Sequence, residues 1–407
     1  KSLMWQFEHI DTIGSLLKVT PEECAAIHVE KGLFGVRQQL MKTQAEYLSR
    51  KYHCVVTNPP YLGKGFDSAL KAYIEKQFPL TKYDIMATFM ERCIEFTSSF
   101  SKVAMINMHA WMFISSYDKL RKKLLCSYNI DNMLHLGTRA FEEISGEVVQ
   151  STAFVLSNNK PTSGIYYRLV DGDSSAKEQF FLGRNNGYLI TSQSIFNKIP
   201  GSPIGYWISN AWYKLFDNKR IGDYVIPKAG VVTGNDSYFV RIWFEPSFKD
   251  FALKGTDFGN YAKYHSFQKG GSPRRYYGNY EYVIKLNDFW NEQFYNVSIR
   301  RGDKDAYFKK AIGWSQVGNY SIKAFRFVDN SVCGTATPTL YCKEDKHFNY
   351  LMGFVNSKIA PTLLNLFNPT INLLTTDVGN LPFIYLEESV DEINHKVLDN
   401  ISISKLD

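Results

Sequence analysis

Residues 52–65 read YHCVVTNPPYLGKG, and this stretch decides the predicted fold. Its first six residues, YHCVVT, are apolar and rich in β-formers, which predicts a short buried strand. The strand ends abruptly in the tetrapeptide Asn-Pro-Pro-Tyr at 58–61. Proline has no N–H and a fixed φ, so a strand does not continue through two of them. The stretch therefore predicts a buried strand whose carboxyl end carries a rigid, polar turn.

Predicted strands and helices alternate after this turn. Asp84 is a plausible N-cap for a helix that begins at Ile85. Strand-like segments follow, with one helix between the first two, at 101–113, 133–137, 148–157 and 165–170. Alternation of this kind predicts an α/β fold with a doubly wound sheet. The short polar link between the last two segments is compatible with an antiparallel hairpin at the sheet edge.

The composition and periodicity of the sequence change after about residue 170. Gly, Asn, Tyr and Trp become more frequent, helical periodicity fades, and the basic, aromatic stretch KGGSPRRYYGN appears at 269–279. Helical spacing returns at 349–367, where Pro361 predicts a break or a kink. We predict an α/β domain at 1–170, a connecting segment at 171–215 and a mixed α+β domain at 216–407.

Composition restricts the classes of function only weakly. The formal net charge of +7 over 407 residues fits a polyanionic partner but is common in other proteins. No apolar run is long enough to span a bilayer, and the six cysteines form no CxxC pair, so we expect a cytoplasmic protein with reduced thiols. His265, His347 and His395 stand alone, and no metal site is predicted.

The tetrapeptide has two interpretations. In the structural one, the prolines end a strand in a rigid turn, which explains neither the amide nor the phenol. In the functional one, the Asn58 side-chain carbonyl and the Pro59 main-chain carbonyl accept both hydrogens of one exocyclic amine, while Tyr61 stacks on the planar ring that bears it. Two such acceptors draw the amine nitrogen toward sp³ character, so that its lone pair points at an electrophile. Chance has odds of about one in a thousand of producing the tetrapeptide in a chain of this length.

The tetrapeptide resembles motif IV of the amino-methyltransferases that methylate adenine at N6 with S-adenosylmethionine. The resemblance implies that Asn58, Pro59, Pro60 and Tyr61 form the catalytic turn, that Asn58 also borders the cofactor, and that Tyr61 stacks on the base. It also implies that the target base is flipped out of the duplex, at a cost of a few kcal/mol.

Further segments resemble the type IIG enzymes and the PglX-type enzymes of BREX phage exclusion. YDIMATFMERCIEF and SKVAMINMHAWMF look like the helix and strand that follow motif IV, and AFEEISGEVVQSTAFVL at 140–156 looks like motif VIII. In motif VIII, Phe141 is the candidate for a second aromatic side chain that stacks on the base. The alternative, given equal weight, is that Phe141 belongs to the hydrophobic core. The resemblance implies the C-terminal half of a Rossmann-like class I methyltransferase sheet, followed by a target-recognition domain.

This family also needs a glycine-rich loop for the methionine part of the cofactor. The residues before Asn58 contain no such loop, so we expect a chain truncated inside its catalytic domain. Asp11 is a weak candidate for the carboxylate that contacts the adenine of the cofactor, because such a residue is more often a helix cap.

Basic and aromatic residues interleave at 269–279. Lys269, Arg274 and Arg275, with Tyr276 and Tyr277 between glycines, are typical of a loop that follows phosphates and offers aromatic platforms. Lys64, just after the tetrapeptide, is a further candidate phosphate contact. For any single lysine, solvated surface charge is the usual alternative.

We therefore predict S-adenosylmethionine-dependent methylation of adenine N6 in double-stranded DNA, for host marking in phage defence or restriction–modification, with other defence proteins as candidate partners. Two alternatives remain open: an amino-methyltransferase that acts on RNA or protein glutamine, and a non-catalytic DNA-recognition fragment. The sequence shows no nuclease signature of paired acids followed by Glu-x-Lys.

Overall fold

A computed structural model describes residues 3–30, 32–61, 65–141, 149–183, 187–190, 192–252, 263–291, 298–317, 323–367 and 372–406. The chain is mixed α/β and divides into two compact units, Lys1–Ser209 and Asn210–Asp407. The division falls inside the predicted connecting segment at 171–215. Within the described residues, no helix combines the length and the apolarity that a bilayer crossing requires.

The first unit alternates helices with the strands of one sheet. Its helices are α1 (Leu3–Glu8), α2 (Ile10–Ile13), α3 (Pro21–Ala25), α4 (Leu33–Ser49), α5 (Ser68–Gln77), α6 (Ile85–Glu95), α7 (Asp118–Ser127) and α8 (Ser174–Leu182). Its strands are β1 (Tyr52–Thr57), β2 (Thr97–Met108), β3 (Asn129–Gly137), β4 (Ser151–Ser157), β5 (Gly164–Arg168) and β6 (Gly187–Ile190).

The six strands lie in the order β1-β2-β4-β3-β5-β6. β1 pairs with β2 in parallel, β4 runs antiparallel between β2 and β3, and β5 pairs with β3 in parallel. The expected hairpin between the last two predicted strands is therefore wrong. Both edges of β4 are occupied by longer strands, so that β5 joins the far side of β3.

β1 has the predicted bounds, but the prediction that it is buried is wrong. Among the described strands β1 lies at one edge of the sheet, so neighbours cover it from one side only. Cys54 is exposed and Val56 is 71% exposed. Apolar side chains of this strand thus face outward.

The helices around β1 are fixed by a capping side chain and a buried arginine. Asp84 caps α6 as predicted, because its Oδ1 accepts a hydrogen bond from the Met86 N–H at 2.9 Å. Arg92 on α6 is 5% exposed and donates to the carbonyls of Ser15, Leu17 and Leu48. One guanidinium thus ties the segment after α2 and the end of α4 to α6.

The second unit contains two four-stranded sheets and a group of helices. Its strands are β7 (Val225–Lys228), β8 (Val240–Ile242), β9 (Tyr264–Gln268), β10 (Tyr282–Lys285), β11 (Ala311–Gly313), β12 (Arg326–Val328), β13 (Val332–Cys333) and β14 (Thr339–Cys342). Its helices are α9 (Asn210–Leu215), α10 (Ile221–Tyr224), α11 (Asp236–Phe239), α12 (Leu286–Asn291), α13 (Phe348–Val355), α14 (Ile359–Phe367), α15 (Thr375–Gly379) and α16 (Val390–Ser404). The sheets have the orders β13-β9-β10-β8 and β12-β11-β14-β7.

The predicted break near Pro361 is present but lies before the proline. α13 ends at Val355 and α14 begins at Ile359, which places Pro361 in the first turn of α14. A proline there costs little, because the N–H groups of a first turn have no partner within the helix.

Candidate functional site

The tetrapeptide at 58–61 directly follows the carboxyl end of β1. β1 and β2 are parallel and in register up to Thr57 beside Met105, so both strands end at the same edge of the sheet. Pro59 is buried, Asn58 and Pro60 are exposed, and Tyr61 is half-buried. The buried proline anchors the turn, and the amide and the phenol remain at the surface.

The two polar side chains of the tetrapeptide contact each other. The Tyr61 hydroxyl donates a hydrogen bond to the Asn58 Oδ1 at 3.3 Å, which is longer than a typical O–H···O bond. Burial raises the pKa of the Tyr61 phenol, so the hydroxyl keeps its proton at neutral pH. Within the described residues, no backbone N–H donates to the Pro59 carbonyl. This turn therefore places the weakly bonded Asn58 Oδ1 and the Pro59 carbonyl beside an aromatic ring.

A chain of hydrogen-bonded rings, which sequence analysis missed, lies at the same edge of the sheet. His109 follows β2 directly, and its Nδ1 lies 2.8 Å from the Nε2 of His135 on β3. The Nδ1 of His135 lies 3.1 Å from the Tyr206 hydroxyl. Burial lowers the pKa of His109 to about 4, and burial followed by the proximity of His109 lowers that of His135. Both imidazoles are therefore neutral at physiological pH.

The other predicted residues of the first unit lie apart from the tetrapeptide. Phe141 is half-buried, four residues beyond the end of β3. Asp11 is exposed in the first turn of α2 and lines a cavity of about 420 Å³ together with Phe7 and Met41. No described contact joins either residue to the tetrapeptide. Lys64 lies outside the described residues. The roles of these three residues remain predictions.

The basic loop at 269–279 lies in the second unit and joins β9 to β10. Arg274 and Arg275 are exposed. Lys269 forms an ion pair with Asp236 at 2.8 Å, so its charge is partly compensated within the chain. This partner is 33 positions away in the sequence, and nothing in the local pattern predicts it.

The two tyrosines of the loop have different environments. Tyr276 is half-buried, with a φ of 65°, and it lines an apolar cavity of about 490 Å³ together with Tyr350 and Phe354. Tyr277 stacks on Tyr280 with ring centroids 4.8 Å apart. Their role as platforms for bases remains a prediction; in this structure the Tyr277 ring stacks within the unit, whereas Tyr276 lines the cavity.

Metal-binding clusters are absent from the part of the chain that the structure describes: no three His, Cys, Asp or Glu side chains come together there.

One protein family and two curated adenine-specific methyltransferases resemble the chain. Residues 8–141 match the model of the Eco57I restriction-modification methylase family. The chain is 36% identical over 364 residues to the adenine-specific methyltransferase PglX of Lacticaseibacillus casei (strain Zhang), across 82% of this chain and 30% of that protein. It is 34% identical over 429 residues to the adenine-specific methyltransferase BrxX of Escherichia coli O9:H4 (strain HS), across 98% of this chain and 34% of that protein. The chain thus spans about a third of the length of these relatives.

Solved structures show a similar fold at low sequence identity. A nuclease-deletion mutant of the Type ISP restriction-modification enzyme LlaGI, in complex with a DNA substrate mimic, matches 92% of this chain and 37% of its own, with a TM-score of 0.54 and 12% identity. The Type IIL restriction-modification enzyme MmeI in complex with DNA matches 88% of this chain and 50% of its own, with a TM-score of 0.53 and 12% identity. At this identity the likeness concerns the fold alone.

Proposed function

We propose that the chain is part of an enzyme that methylates adenine at N6 in double-stranded DNA, and the premise is the match of residues 8–141 to the Eco57I restriction-modification methylase family. The proposal rests on one observation: the Tyr61 hydroxyl is hydrogen-bonded to the Asn58 side chain just after the carboxyl end of β1. The similarity to proteins named adenine-specific methyltransferases PglX and BrxX supports adenine as the substrate. It also supports a role in host-DNA marking for phage defence or restriction–modification.

In the proposed reaction, the turn binds and orients the amine of a flipped adenine. The Asn58 Oδ1 and the Pro59 carbonyl each accept one N6 hydrogen, and the Tyr61 ring stacks on the base, with Phe141 as the candidate on its other face. The amine replaces the Tyr61 hydroxyl at Asn58, and at 3.3 Å the bond that is lost is weak. Stacking contributes roughly 1–3 kcal/mol toward the cost of extruding the base.

S-adenosylmethionine, when bound, supplies the methyl group. Asn58 would border it, and Asp11 is the candidate to hold its adenine. The cavity at Asp11 fits a purine in its chemistry, because a carboxylate stands there beside the apolar Phe7, Ile10 and Met41. The proposed work of this chain is to hold the amine and to keep its nitrogen lone pair free.

We propose that the six-stranded sheet is the C-terminal half of a Rossmann-like class I methyltransferase domain. The exposed, parallel edge strand β1 supports this, because parallel sheets are normally covered on both faces. Exposed apolar side chains on α4, among them Val36 and Leu40, support the same proposal. The second unit is then the target-recognition domain, and its candidate DNA contacts are Lys269, Arg274, Arg275, Tyr276 and Tyr277. In the first unit, Lys64 is a further candidate DNA contact beside the turn.

The test is methyl transfer by the full-length protein to duplex DNA, to RNA and to protein, each with labelled S-adenosylmethionine. We expect transfer to adenine in duplex DNA alone, and a loss of about 100-fold or more in Asn58→Ala with unchanged DNA affinity. Lys71→Ala, an exposed change on α5, serves as the matched control. Full methylation by Asn58→Ala would contradict the mechanism, and transfer to RNA or to glutamine would contradict the substrate.

A further inference from the structure

The loop at 269–279 is held at its base by buried side chains from distant positions. Arg326 is 1% exposed, and it donates from Nε to the Gln268 Oε1 at 3.1 Å and from Nη2 to the Thr337 Oγ1 at 3.2 Å. The Thr337 Oγ1 also accepts from the Gly270 N–H at 2.7 Å. These contacts fix the point at which the chain leaves β9.

The far end of the loop is fixed as well. Tyr276 pairs through its backbone with the strand that contains Arg326: its N–H donates to the Phe325 carbonyl at 2.8 Å, and its carbonyl accepts from the Phe327 N–H at 2.7 Å. The Asn279 Nδ2 donates to the carbonyls of Gly270 and Ser272, both at 2.9 Å. Hydrogen bonds within the loop therefore hold its two ends together and restrict its conformation.

Arg274 is supported within this rigid frame by a glycine. Gly278 has a φ of +138°, and a Cβ added there would lie 2.9 Å from Cγ and 3.2 Å from Cβ of Arg274. The stem of Arg274 thus packs where a side chain would otherwise stand, and the residue remains exposed. No acidic side chain among the described residues pairs with it, in contrast to Lys269.

A guanidinium on a supported stem loses little side-chain entropy when it binds. Lysine and arginine both contact phosphates, and arginine can do so through two parallel bonds, but such contacts carry no sequence information. Guanine presents two acceptors at fixed spacing, N7 and O6, which a planar fork also meets in two parallel bonds. A stem that fixes the direction of the fork therefore contributes to sequence selection only at a base edge.

We infer that Arg274 is a specificity-determining residue, whose guanidinium, positioned by Gly278, reads the edge of a guanine in duplex DNA. The inference rests on the proposed function, because it takes DNA as the substrate. It separates Arg274 from its neighbour Arg275, which has no atom among the three nearest to the Cβ position of Gly278 and which we assign to a phosphate.

The experiment is a binding selection with the full-length protein on a pool of randomised duplexes, followed by sequencing of the bound fraction. We expect the wild type to prefer guanine at one position. Arg274→Lys keeps the charge and should reduce that preference by roughly tenfold or more at that position alone. Gly278→Ala should weaken the same preference although Arg274 is present, and Arg275→Lys should lower affinity evenly over all sequences.

A uniform loss of affinity in Arg274→Lys, with the preferred sequence unchanged, would make Arg274 a phosphate contact and overturn the inference. Arg274→Lys is an exposed, charge-conserving change, so a thermal unfolding curve that matches the wild type completes the test even where Gly278→Ala misfolds. Methylation is not part of the readout. A protein that selects a guanine but transfers no methyl group contradicts the proposed function, but it does not contradict the inference that Arg274 reads a guanine.

Discussion

The tetrapeptide at 58–61 and the loop at 269–279 are both rigid turns that display polar side chains, but different chemistry makes each of them rigid. In the tetrapeptide two proline rings restrict the backbone, and a single hydrogen bond of 3.3 Å joins its side chains. In the loop the restraint comes from Arg326, 58 positions beyond Gln268. Rigidity that comes from proline rings can be predicted from the local sequence, whereas rigidity that comes from tertiary hydrogen bonds can be recognised only in the folded structure.

Of the changes that test this comparison, removal of the Arg326 side chain should have the largest effect, and it should act on the free energy of unfolding. Arg326→Ala leaves the Gln268 Oε1 without its arginine donor and removes one of the two donors to the Thr337 Oγ1, so we expect a loss of about 3 kcal/mol in the free energy of unfolding. Urea unfolding measures it, and Arg275→Ala, an exposed change in the same loop, should stay within about 0.5 kcal/mol of the wild type. Equal stability of the two variants would show that the loop does not depend on Arg326.

Changes at Tyr61 separate its ring from its hydroxyl. Tyr61→Ala removes the proposed stacking, worth roughly 1–3 kcal/mol, so kcat/KM for methylation should fall about 10- to 100-fold. Tyr61→Phe keeps the ring and frees the Asn58 Oδ1, and we expect activity at or above that of the wild type. If both variants lose the same activity, the hydroxyl rather than the ring is what the reaction needs.

The hydrogen-bonded rings of His109 and His135 should differ from the loop at 269–279 in their response to acid. The pKa of His109 is lowered to about 4 and that of His135 is lowered too, so the unfolded chain binds more protons than the folded one below about pH 6.5. Stability should therefore fall as the pH drops from about 6.5 toward 4, while the guanidinium of Arg326 stays charged throughout.

Unfolding curves between pH 7 and pH 5 measure this difference. His135→Gln should give a shallower slope than the wild type, whatever its stability at neutral pH. Parallel slopes would mean that other groups cause the acid sensitivity.

The smallest effect is expected from the prolines themselves. Pro60→Ala leaves every described hydrogen bond of the tetrapeptide in place and acts mainly through the unfolded chain, at a cost of about 0.4–1 kcal/mol. Pro273→Ala is the matched change in the loop, where buried side chains also hold the backbone. We expect similar stability losses in both, but lower methylation in Pro60→Ala only. Equal activity in the two variants would refute a role for covalent rigidity in the turn.

Local signals predicted local features well. The bounds of β1, the cap at Asp84 and the discontinuity near Pro361 follow from residue types at adjacent positions. The place of β4 between β2 and β3, and the exposure of β1, do not, because they depend on which strands meet across the sheet. The same limit applies to the candidate sites: the tetrapeptide is contiguous, whereas His109 with His135, and Lys269 with Asp236, come together only through the fold.

The anchors of the loop bind mainly backbone atoms, and this has an evolutionary consequence. Asn279 holds the carbonyls of Gly270 and Ser272, and Thr337 holds the N–H of Gly270, so these contacts are indifferent to the side chains displayed at 274 and 275. A lineage could exchange Arg274, and with it the proposed base preference, without rebuilding the scaffold. Diversification of recognition would then require single substitutions rather than a new fold.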